Sequence, residues 1–131
     1  MKKAITFLAV AILAMAIFGS CSQTTSKDSN TIRIGLNYEL SGAAATYGQS
    51  SVEGIELAIE EINKAGGLNG KKIQTIKYDN KSEEAEATTL STRLMTQDKV
   101  LAVLGPATSG AFKATIPVSE QNKIPVLSGS A

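Results

Sequence analysis

The run Val100-Leu101-Ala102-Val103-Leu104, closed by Gly105-Pro106, most constrains what this chain can fold into. An unbroken apolar stretch of that length leaves no face for water. It predicts a central strand of a parallel sheet, buried on both sides beneath helices. The neighbouring segments agree. Ile32-Arg33-Ile34-Gly35-Leu36-Asn37 is a β-rich run that ends before the turn signal Ser41-Gly42. Val52, Ile55, Ile59 and Ile62 then recur at helical spacing, with Ala58 on the same stripe and Glu53, Glu56, Glu60 and Lys64 off it. That pattern predicts an amphipathic helix with its apolar stripe turned inward, stopped by Gly66-Gly67.

After the turn Asn69-Gly70, Ile73 to Tyr78 reads as a second strand, with Lys77 placing it near a sheet edge. Asp79 to Ser82 offers capping side chains for a second helix, and Glu83, Glu84 and Glu86 suit its positive end. That helix turns Ala87, Leu90, Leu94 and Met95 inward and ends near Asp98. A third helix is expected from about Ser109, kinked or divided by Pro117. Ile124-Pro125-Val126-Leu127 is a fourth strand, with Pro125 at its start, where a missing donor costs least. The order β-α-β-α-β-α-β predicts an α/β fold, with a parallel sheet, helices on both faces and right-handed crossovers. The last strand hands over to no helix before Ala131, so residues 31–131 read as part of a longer α/β domain.

Residues 1–20 read as an export signal. Lys2 and Lys3 precede an uncharged stretch from Ala4 to Phe18, and Gly19-Ser20 follows. The stretch is short for a membrane span, which needs roughly 18 to 20 residues. Phe18-Gly19-Ser20-Cys21 resembles the lipobox of bacterial lipoproteins, which implies lipidation of Cys21 and an anchor on the outer face of the cell membrane. An unpaired thiol in an exported protein is the plainer alternative. Residues 21–30 continue with small and polar side chains and read as a flexible tether.

Composition then narrows the function. The 131 residues hold 13 Lys+Arg against 12 Asp+Glu, no His, no Trp and one Cys. Without Lys2 and Lys3 the balance turns slightly acidic, which gives no footprint for nucleic acid. The missing His removes the commonest general base and metal ligand, and a lone Cys excludes an internal disulfide. No Ser-His or Cys-His pair can form, and Gly105 to Gly110 lacks the Gly-Lys-Ser/Thr of a phosphate-binding loop. Asp79, at a strand end, reads as a turn or capping residue before a phospho-acceptor or metal ligand. No enzyme, cofactor or metal is expected.

Ligands of an open parallel sheet bind beyond the carboxyl ends of its strands. The loops there are Glu39–Gly48, Asp79–Ser82, Gly105–Gly110 and Ser128–Ala131, three of them rich in Gly, Ala, Ser and Thr. Ser109-Gly110 at a helix start offers amide donors and a positive dipole end to a carboxylate or phosphate. Simple N-capping by Thr108 or Ser109 is the alternative.

Ile32 to Gly48, Glu53 to Ala58, Glu61 to Lys72, Tyr78-Asp79, Leu104-Gly105-Pro106, Ser109-Gly110 and Ile124-Pro125-Val126 together resemble the branched-chain amino acid-binding proteins. These are substrate-binding components of ABC importers with the type I periplasmic-binding fold. Ile62-Asn63-Lys64-Ala65-Gly66-Gly67-Leu68-Asn69-Gly70 is the most distinctive piece. The resemblance implies two lobes closing on a small solute, with 31–131 forming part of the first. It implies ligand-binding roles for Tyr47, Ser109, Ser130 and Ala131: Ser109 as donor to a carboxylate, the Ser130 loop at the polar head, Tyr47 as a cover. It further implies an amino acid-like ligand, ABC permease subunits as partners and an extracytoplasmic location. A sensing lobe of the same fold is the alternative; a flavodoxin-like or receiver-type enzyme lacks the necessary loops.

Overall fold

The structure, a computed structural model, describes residues 30–131. The export signal, Cys21 and the tether up to Ser29 lie outside the described residues. The elements are β1 (Thr31–Tyr38), α1 (Ala45–Lys64), β2 (Lys72–Asp79), α2 (Glu84–Thr96), β3 (Ala102–Leu104), α3 (Ser109–Asn122) and β4 (Val126–Leu127). All strand pairs are parallel, in the order β2-β1-β3-β4. β1 pairs along its whole length with β2, from Thr31 opposite Lys72 to Tyr38 opposite Asp79. The Lys-bearing β2 is an edge strand and the apolar run is interior, as the sequence predicts.

Side chains alternate across a strand, so β1 sends successive residues to opposite layers. Ile34, Leu36 and Tyr38 join Leu104 against Val52 and Ile55 of α1. On the other face, Ile76, Tyr78, Val103 and Val126 pack with Leu94 and Met95 of α2 and Val118 of α3. Helices therefore cover both faces, two on one side and one on the other.

Several expectations are corrected. The strand within the apolar run is only Ala102–Leu104. Val100 packs beneath α2, but Leu101 is 65% exposed, so the first part of the run is the approach to the strand. The stripe of α1 is buried at Val52 and half-buried at Ile55 and Ile59, whereas Ala58 and Ile62 are exposed. α1 lies over β1 and β2, and a single helix cannot cover four strands. Pro117 does not divide α3, which runs unbroken from Ser109 to Asn122.

The capping prediction for α2 also differs. Its N-cap is Glu83, and no side chain caps it. The polar residues before it are used across the fold instead. Asp79 and Ser82 bind the loop after β1, and Asn80 binds β1 itself.

Candidate functional site

The carboxyl ends of the strands form one rim, and buried polar groups of β1 fix its loops. Asn37, fully buried, donates from Nδ2 to the Ala87 carbonyl (2.7 Å) and the Ser91 hydroxyl (2.9 Å) of α2. It accepts from Asn80 Nδ2 at 3.1 Å. Asn80 and Ser91 are also fully buried, and no buried side-chain polar atom among the described residues lacks a partner.

Glu39, just past β1, is 0% exposed. Its Oε2 accepts the Ala107 amide at 2.9 Å, and its Oε1 accepts the Thr108 amide at 3.1 Å and the Thr108 hydroxyl at 2.7 Å. Every bond runs toward the carboxyl oxygens, the pattern of a carboxylate meeting the positive end of a helix. Thr108 is the N-cap of α3 but makes no capping bond of its own. Glu39 thus holds the two residues that lead into α3, and the alternative of a hydroxyl cap from Thr108 or Ser109 is not found among the described residues. Tyr38 beside it has its phenol pKa raised by burial and by the Glu39 charge.

Asp79 holds the loop between β1 and α1. Its Oδ1 accepts the amides of Leu40 (3.0 Å), Ser41 (3.1 Å) and Lys81 (2.8 Å), and its Oδ2 accepts the Ser41 hydroxyl at 2.6 Å. Burial works against the charge of Asp79, but these bonds outweigh it and the pKa lies below the ordinary 3.8. Two glycines let backbones meet here. A Cβ at Gly48 would lie 2.1 Å from the Glu39 carbonyl oxygen. At Gly105, with φ +91°, it would lie 2.2 Å from that of Asn37.

The loop after β4 folds back on the head of α3. Ser128 Oγ donates to the Pro106 carbonyl at 2.7 Å, and Ser130 Oγ donates to the Ala107 carbonyl at 2.9 Å. The Ala131 amide donates to Ser128 Oγ at 3.1 Å. Ser130 and Ala131 are thereby joined to the segment that leads into Ser109. Ser109 is exposed in the first turn of α3, and its side chain makes no hydrogen bond among the described residues. Tyr47, in the first turn of α1, is 70% exposed. Its carbonyl accepts the Ser51 hydroxyl at 2.8 Å.

A cleft of about 520 Å³ opens beside the rim. Ser50, Ser51, Ser128 and Ser130 supply its hydroxyls, and Ile55, Leu104 and Leu127 much of its apolar wall. No charged side chain lines it. Of the expected binding residues only Ser130 is in the lining; Tyr47 is one helical turn from Ser51, and Ser109 two residues from Ala107. All four expected residues follow the carboxyl ends of β1, β3 or β4, so the topology gathers them on one rim. A larger groove of about 640 Å³ lies between the second half of α1 and the start of β2. Its Lys64 is paired with Glu60 of the same groove at 2.6 Å, which leaves little charge for a ligand. Among the described residues, no group of His, Cys, Asp and Glu is placed to hold a metal ion.

Sequence reasoning passed over Glu39, Asn37 and Ser51. Two polar residues, Asn37 and Glu39, within the otherwise apolar stretch from Ile34 to Leu40 were the available signal.

Comparison with known proteins agrees with this geometry. A family model described as periplasmic binding protein matches residues 31–131. A leucine-, isoleucine-, valine-, threonine- and alanine-binding protein of Pseudomonas aeruginosa is 32% identical over 131 residues, all of this chain and 34% of its own length. The crystal structure of the branched-chain amino acid transporter substrate binding protein LivJ of Streptococcus pneumoniae, in complex with isoleucine, is 50% identical. It aligns with a TM-score of 0.76 over 77% of this chain and 29% of that one. A solute binding protein of an R. palustris ABC transporter, in complex with benzoate, is 29% identical, with a TM-score of 0.69 over 77% of this chain and 28% of that one. The chain thus spans about a third of the length of these relatives. With four parallel strands, helices on both faces and a family match over the whole of 31–131, the chain belongs to the periplasmic binding proteins, in the type I fold of their branched-chain amino acid-binding members.

Proposed function

We propose that this chain contributes part of the first lobe of an extracytoplasmic solute-binding protein that delivers an amino acid, most plausibly a branched-chain one, to an ABC permease. The supporting observation is the joined rim. Ser130 is bonded to Ala107 at the head of α3, beside the exposed Ser109, within a parallel sheet whose ligands bind at that edge. Ser109 donates to the solute carboxylate, the Ser130–Ala131 loop meets its polar head, and Tyr47 closes over its side chain. An uncharged cleft of serines and aliphatic side chains suits a solute that is polar at one end and apolar at the other. A lipid on Cys21 and the tether after it hold the protein at the outer face of the membrane, within reach of the permease.

The P. aeruginosa relative and LivJ support an amino acid; the R. palustris protein keeps an aromatic acid open. Calorimetry of the intact protein against leucine, isoleucine, valine and benzoate tests the reading. Binding of an aliphatic amino acid, weakened about tenfold or more by Ser109→Ala or Tyr47→Ala at unchanged stability, is the expected result. Absence of binding by every probe overturns it.

A further inference from the structure

We propose that Glu39 is a positioning residue that sets specificity at the rim. Its buried charge disfavours a bare carboxylate at the head of α3 and leaves room for a carboxylate that brings its own cation, as an amino acid does. This rests on the reading of the rim as a solute site.

A helix start attracts anions because its first amides are unpartnered and its dipole carries about half a positive charge there. In this fold the anion is already present. Glu39 takes the amides of Ala107 and Thr108 and the Thr108 hydroxyl, so a full negative charge is held directly ahead of the first turn of α3. Glu39 is 0% exposed and is bonded directly to Thr108, the residue before Ser109, at 2.7 Å. In such surroundings like charges repel far more than in water. The same charge contributes to the raised pKa of the Tyr38 phenol.

Nothing lining the neighbouring cleft offsets that charge, since it holds no Lys or Arg. A simple carboxylate at Ser109 would add a second negative charge beside the first. A zwitterion adds none in sum, and its ammonium group relieves the repulsion. Glu39 also orients the site, because the Ala107 it holds by the amide receives Ser130 Oγ on its carbonyl. These two roles are separable: loss of position weakens all ligands together, whereas loss of charge changes their ratio.

The test uses the intact protein with two probes of one skeleton, L-isoleucine and 3-methylpentanoic acid, which lacks the amino group. In Glu39→Gln the affinity of the acid relative to isoleucine should rise at least fivefold. Glu39→Asp should return it toward the wild-type ratio. Thr108→Val removes one bond to Glu39 but keeps the charge, so it should lower both affinities in step. A ratio unmoved in Glu39→Gln overturns the proposal while leaving the solute site standing. If Glu39→Gln does not fold, the wild-type ratio decides. The acid binding at least tenfold more weakly than isoleucine supports the proposal; equal binding overturns it. Wild-type protein that binds neither probe overturns the solute-site reading, and the proposal with it.

Discussion

Beneath α2 and α3 the sheet is closed. Leu94 and Val103 are fully buried there, and Asn37, Asn80 and Ser91 form a buried polar network. Beneath α1 the opposite face is partly open. Leu127 is 65% exposed although it pairs with Leu104 on the sheet, and Leu57 and Ile62 of α1 are 59% and 41% exposed. Apolar content does not explain the difference, since the stripe of α1 is the most regular in the sequence. The number of layers does. Two helices packed against each other cover β1, β3 and β4 on one side, while a lone helix over β1 and β2 reaches β3 only at Leu104 and leaves Leu127 of β4 exposed. The closed face sets the rim.

The largest effect expected from this contrast is in the closed face. Leu94→Ala should lower stability by about 3 kcal/mol in urea unfolding, since it leaves a cavity where Leu94 meets Met95 and Val103. A cost under about 1 kcal/mol would mean that this face is as loose as the other. Asn37→Ala should follow at about 2 kcal/mol, because it strands the Asn80 side-chain amide and removes the donor to the Ser91 hydroxyl in the interior.

The rim shared by both faces carries a pH signature. The folded Asp79 pKa is lowered, so its contribution is complete above the ordinary 3.8 and is lost as pH falls through the folded value. Asp79→Asn should cost about 1.5 kcal/mol at neutral pH and flatten the acid limb of a stability–pH curve below pH 3.8. An unchanged acid limb would assign that limb to other carboxylates. The smallest effect belongs to the open face. Leu57→Ser in the 131-residue chain should change stability by no more than about 0.5 kcal/mol. A larger loss would show that α1 is covered after all.

Much of the architecture was legible because it rests on local periodicity. Spacing in α1, the apolar run of β3 and the Lys in β2 each identified an element and its place. Boundaries were less so: Leu101 and Val103 look alike in sequence, yet one is exposed and the other buried. Among the expected binding residues, Ser130 and Ala131 lie in the loop after β4, as read, whereas Tyr47 and Ser109 lie in the first turns of α1 and α3. Their partners were not legible. The Ser130 bond to Ala107 spans 23 residues and the Glu39 bonds to Ala107 and Thr108 span 68 and 69, and no local pattern encodes such pairings.

By itself, then, the order of residues determined an α/β chain with its strand ends in small, hydroxyl-rich loops, because strand, helix and turn preferences act over a few neighbours. Only the tertiary structure decided that Glu39 holds Ala107 and Thr108 at the entry to α3, and that one face of the sheet closes while the other stays open. Both depend on which distant segments the crossovers bring together, and a buried carboxylate finds its hydrogen-bond donors only where such segments supply them.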